Sequence, residues 1–90
     1  MPQQTLRATH RNGTATATPA KVTTKRGRGF RLLLRNLDGT NPLDVSFDSG
    51  KTFYTIEADG KFDEDVSFHF FYVRRGGAAD VDYSAVIFEG

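Results

Sequence analysis

A reversal of direction is written into the middle of this 90-residue chain, at Asp48-Ser49-Gly50-Lys51, with a β-forming run on either side. In Asn41–Asp48, Val45 and Phe47 alternate with Asp44, Ser46 and Asp48, so one face is apolar and the other polar. Beyond the turn, Thr52-Phe53-Tyr54-Thr55-Ile56 is β-branched and aromatic throughout. Asp suits the first position of a tight turn, and Gly takes positive φ at no steric cost. The spacing predicts a β-hairpin. It is a structural signal and carries no chemistry of its own.

Ninety residues make one domain at most, and a domain of this size buries only about 60% of the surface of its unfolded chain. There is no cysteine, so neither disulfides nor a Cys-based metal site can compensate. With His10 and His69 the only histidines, a zinc site would need carboxylates or a partner chain. Small β domains without staples gain stability by association, so an oligomer or a bound partner is expected. No run approaches a membrane span, and Met1-Pro2-Gln3-Gln4 opens no signal-peptide apolar region. A soluble protein that stays where it is made, or is built into an assembly there, is the expectation.

The net charge of +1 conceals a sharp division. Before position 38 every charge is basic: Arg7, Arg11, Lys21, Lys25, Arg26, Arg28, Arg31 and Arg35. Every carboxylate lies from Asp38 onward, opposed only by Lys51, Lys61, Arg74 and Arg75. Residues 1–27 also hold few large apolar side chains, chiefly Leu6 and Val22. Little burial is available there to offset about 1–2 kcal/mol of backbone ordering per residue. The expected division is therefore a basic, extended or flexible N-terminal arm over 1–27 and a β domain over 28–90. Thr-rich sequence and Pro19 fit an arm that orders on a neighbouring subunit. Removing the arm is expected to leave the β domain folded.

Within 28–90, Phe30, Leu32 and Leu34 fall on one face of a strand, with Arg31, Leu33 and Arg35 on the other. Asn36–Pro42 is dense in turn residues, and Ala58-Asp59-Gly60-Lys61 is a second tight turn. Phe62 to Arg75 is the longest run, with Val66, Phe68, Phe70 and Tyr72 on one face and Ser67, His69, Phe71 and Val73 on the other. After Gly76-Gly77, Val81, Tyr83, Ala85 and Ile87 alternate with Asp82, Ser84, Val86 and Phe88, which makes the last strand two-sided at its end. Five strands with short turns, or six or seven if the arm adds one or two, predict an all-β fold, a small antiparallel β-sandwich or barrel with an extended N-terminal arm.

Constellations that could carry chemistry are thin. Asp65, Ser67 and His69 lie two apart on one strand, about 7 Å between neighbours, too far for a hydrogen-bonded relay. Asp63-Glu64-Asp65 and Asp48-Ser49-Gly50 lack the spacing and closing Glu of a calcium loop. No catalytic, cofactor or metal residues are assigned, and an enzyme is not expected. Lys25-Arg26-Gly27-Arg28 could meet phosphates, but no aromatic interleaves it and the acidic remainder repels a polyanion. Protein contact is the preferred reading, with Arg7, Arg11, Lys21, Lys25, Arg26, Arg28, Phe71 and Val73 as candidates. Tyr54, Tyr72 and Tyr83, with Phe53 and Phe71, could instead form an aromatic platform for sugars.

The stretches "NPLDVSFDSGKTFYTI" (Asn41–Ile56), "DVSFHFFYVRR" (Asp65–Arg75) and "DVDYSAVIFEG" (Asp80–Gly90), preceded by a strand ending at Asn36, resemble a small β domain of tailed-bacteriophage virion proteins. The likeness covers Leu33 to Gly90, around two-thirds of the chain. It implies a structural virion protein of the capsid decoration or cement type, present in many copies on the capsid surface and made in the host cytoplasm. Its implied partners are the major capsid protein and neighbouring copies of itself. No cofactor or membrane is implied, and nucleic acid is not an expected partner. The alternatives are a carbohydrate- or receptor-binding module on a head fibre or tail, and a nucleic-acid-binding accessory protein.

Overall fold

The alternating runs become strands that pair across the central turn. The computed structural model describes residues 7–25 and 27–90, among which there is no helix. Eight strands follow in order: β1 Arg7–Ala15, β2 Ala20–Thr23, β3 Gly29–Asn36, β4 Leu43–Ser46, β5 Tyr54–Ile56, β6 Lys61–Phe68, β7 Phe70–Arg75 and β8 Val81–Glu89. They form two four-stranded sheets, ordered β1-β8-β3-β6 and β2-β7-β4-β5, with every pair antiparallel. Only the β4–β5 connection stays within one sheet. Arg7 with Glu89, Ala20 with Val73, Arg35 with Lys61 and Val45 with Tyr54 all straddle the central turn almost evenly. The chain is thus one long ribbon, doubled at Asp48–Gly50 and rolled into two layers, which is the jelly-roll form of the β-sandwich.

The tip of the ribbon is fixed by its own side chains. Ser49 and Gly50 have φ of 62° and 86°, and both sit in the left-handed region. Asp48 Oδ1 accepts the Ser46 hydroxyl (2.7 Å) and the Thr52 N–H (2.9 Å), and Ser46 Oγ accepts the Gly50 N–H (2.9 Å). The Thr52 hydroxyl and N–H, then the Ser46 hydroxyl, hold the Asp48 carboxyl far below the usual range. N–H groups of Asn41 and Thr40 lower Asp38 in the same way. Folded values below unfolded ones mean that this stabilisation is complete above about pH 4 and is lost as pH falls through the folded values. Wild type should therefore lose urea resistance between about pH 4 and 2, and Asp48→Asn should lose less of it over that interval. Identical acid sensitivity in the two proteins would remove the role assigned to Asp48.

Between the layers, Leu32, Leu34 and Ile87 of one sheet meet Val45, Phe71 and Val73 of the other, all fully buried. Phe47, Phe62, Phe68 and Phe71 close one end, with successive ring centroids 5.4–6.2 Å apart. Asn36 is buried at the end of β3. Its amide donates to the carbonyls of Asn41 (2.8 Å) and Glu57 (3.1 Å), and its Oδ1 accepts the Asp38 N–H (2.9 Å). One side chain thereby ties β3 to both ends of the central hairpin.

Four expectations are corrected. Within the described residues there is no arm separate from the domain, because β1 pairs with β8 over its whole length and β2 with β7. Ladder hydrogen bonds and two small plugs, Ala15 and Val22, hold this segment in place of large apolar side chains. The run Phe62–Arg75 is two strands that break at His69 and cross from one sheet to the other, so Phe68 and Phe71, three apart, both point inward. Phe30 does not share the Leu32–Leu34 face. A register shift between Gly29 and Arg31 leaves it 37% exposed. Residues 28–90 accordingly hold six strands, one more than the five expected there, and β1 and β2 make eight among the described residues.

Candidate functional site

An outward-facing strand position is ordinarily polar, so apolar side chains there mark a surface with a use. The register fixes what each outer face presents. Across the sheet β1-β8-β3-β6, one row reads Ala8, Phe88, Arg31, Asp65 and the next His10, Val86, Leu33, Asp63. Phe88, Val86 and Leu33 are half-buried and adjacent, on the face opposite Ile87 and Leu32. The Arg31 guanidinium clamps the rim, 2.7 Å from Asp63 and 2.9 Å from Asp65. The hydrogen bond to Asp65 and the charge of Asp63 raise Arg31 above its usual value.

The outer face of β2-β7-β4-β5 is built differently. Its rows are Thr23 with Phe70, Lys21 with Tyr72 and Ser46, and Arg74 with Asp44 and Thr55. Phe70 and Tyr72 meet edge to face at 5.9 Å, and the Lys21 ammonium lies 4.3 Å from the Phe70 ring centre. Arg74 stacks 3.7 Å from the Phe53 ring centre while its Nε donates to Asp44 (3.1 Å), which also accepts the Thr55 hydroxyl (2.9 Å). Aromatics on this face are capped by cations, Phe70 by Lys21 and Phe53 by Arg74.

The candidates read from sequence disperse over this framework. Arg7 and Arg11 are exposed on β1, and Lys21 lies on the outer face just described. Lys25 and Arg28 are exposed between β2 and β3, where the Lys25 N–H donates to the buried Glu89 (3.2 Å). Arg26 lies outside the described residues. Phe71 and Val73, expected at a protein contact, are fully buried in the chain's own core, because the strand break at His69 turns them inward. The tyrosine platform is dispersed too. Tyr54 is exposed beside Phe62, Tyr72 is on the second outer face, and Tyr83 is buried, which pushes its hydroxyl up.

The polar clusters serve the fold. Asp63 and Asp65 are taken by Arg31, while Glu64 belongs to the opposite side of β6. Among the described residues, no three His, Asp or Glu side chains gather to hold a metal ion. Sequence reading did not single out Leu33, Val86 and Phe88 as a site. Their signal was present in the apolar residues at the polar phase of β8, and only the register brings Leu33 beside them. No protein-family model matches this chain, and no curated protein is similar to it in sequence.

Proposed function

We propose that the chain is a structural, non-enzymatic virion subunit of the capsid decoration type, which docks on the capsid shell through the outer face of β1-β8-β3-β6. The observation that carries this reading is the contiguous apolar group Leu33, Val86 and Phe88 on that face. The resemblance read from the residues of Leu33–Gly90 motivates it, and the jelly roll, a form common in capsid and lectin domains, is compatible with it. Completing the burial of half-covered apolar side chains contributes about 1 kcal/mol each. Exposed ion pairs such as those of Arg31 contribute about 0–1 kcal/mol. The apolar group therefore supplies most of the affinity, and the charged rim sets orientation.

Val86→Asp places a carboxylate at the centre of that face without touching the core. The variant should keep the wild-type circular dichroism spectrum yet bind purified capsids about tenfold or more weakly in cosedimentation. Undiminished binding would exclude this face as the docking surface. A sugar- or receptor-binding role has its own support in Phe70, Tyr72 and Phe53 on the other face. Loss of glycan binding in Tyr72→Ala, with capsid binding intact, would favour it.

A further inference from the structure

The two open edges of the sheet β1-β8-β3-β6 carry opposite charge. β1 has a strand on one side only among the described residues, and so does β6. The first edge bears Arg7 and Arg11, and the second Asp63, Glu64 and Asp65 against Lys61 and the Arg31 that pairs with the two aspartates, which leaves it acidic. Unpaired edges expose rows of N–H and C=O groups that pair readily with another chain, and charge on an edge normally discourages this. In this sheet each edge repels its own kind and attracts the other. We infer that β1 of one copy adds to β6 of the next, continuing the sheet from subunit to subunit.

The geometry favours this pairing. Strand directions alternate across the sheet, so an incoming β1 runs antiparallel to β6, like every other pair. The two strands have 9 and 8 residues, and so match in length. Side-chain phase is also preserved. His10 shares the outward face with Asp63 and Asp65, while Arg11 and Glu64 share the inward phase. The register that sets Arg11 opposite Glu64 also sets His10 opposite Asp65 and Asn12 opposite Asp63. All eight residues of β6 then have a partner, from Lys61 opposite Thr14 to Phe68 opposite Arg7.

Such a contact is head-to-tail, so it builds a ring if the rotation closes and a filament if it does not. It deepens the many-copies element of the proposed function and involves no capsid, so its failure would leave the docking face untouched. The test is sedimentation velocity of the full chain at low salt over a wide concentration range. Wild type should associate, and 1 M salt should weaken that association, as expected of screened charge. Arg11→Glu and Glu64→Arg should each raise the association midpoint at least tenfold, and the double exchange Arg11→Glu/Glu64→Arg should restore it. Both side chains are exposed, and circular dichroism would verify the fold of each variant. A wild type that stays monomeric throughout would overturn the inference. So would association indifferent to either exchange, or a double exchange that restores nothing.

Discussion

Deletion of residues 1–27 should abolish folding. The deletion removes all of β1 and β2, 9 and 4 residues paired with β8 and β7. Antiparallel pairing averages one ladder bond per residue, so roughly a dozen are lost, each worth about 0.5–1.5 kcal/mol net. The burial of Ala15 and Val22 is lost with them, and the flanks of Tyr83 and Ile87 open to water. Entropy released by the missing segment offsets part of this. What remains is still comparable to the about 5–15 kcal/mol that holds a small domain together. A 28–90 fragment should give a collapsed amide dispersion in its proton–nitrogen correlation spectrum. A dispersed, native-like spectrum would return the segment to the status of an appendage.

Phe71→Ala should destabilise the protein far more than any truncation on the outer faces of the sheets. Phe71 is fully buried on β7, with the Phe68 and Phe47 rings 5.7 and 6.2 Å away. Truncating such a ring costs about 3–5 kcal/mol through lost transfer energy and the cavity left behind. Its neighbour Tyr72 points the other way, so Tyr72→Ala should cost about 1 kcal/mol or less. Urea denaturation of the pair measures the contrast directly. Equal losses would mean that the inward and outward faces of β7 are wrongly assigned.

What could be read from the residues, and what could not, follows from how local each signal is. The doubling at Asp48–Gly50 and the inward series Val81, Tyr83, Ala85 and Ile87 are patterns within a single strand or turn, and the fold contains both. That β1 belongs to this domain's own sheet is not legible locally, because Arg-Ala-Thr-His-Arg-Asn-Gly-Thr-Ala owes its place to a partner some seventy residues away. Its small residues become intelligible only beside that partner. A Cβ on Gly13 would sit 2.7 Å from the Tyr83 hydroxyl, so the strand is bare where the tyrosine needs room. The break at His69 is not written in the residues, because Phe68 and Phe71 read equally well as the two buried faces of one continuous strand, and only the structure turns both inward. The candidate surface needed the register itself, because Leu33 and Val86 are distant in sequence and adjacent only across β3 and β8.

A ribbon doubled at its middle also imposes an order on biosynthesis. Of the eight strands, β1 leaves the ribosome first, yet its partner β8 is the last to be made. β3 can find β6 before β8 has been made, but β1 cannot be seated, so the nascent chain carries an unsatisfied basic strand until β8 emerges. Synonymous slowing of the message would gain nothing for that strand. Yield in the cell should depend instead on whatever shields it until β8 emerges.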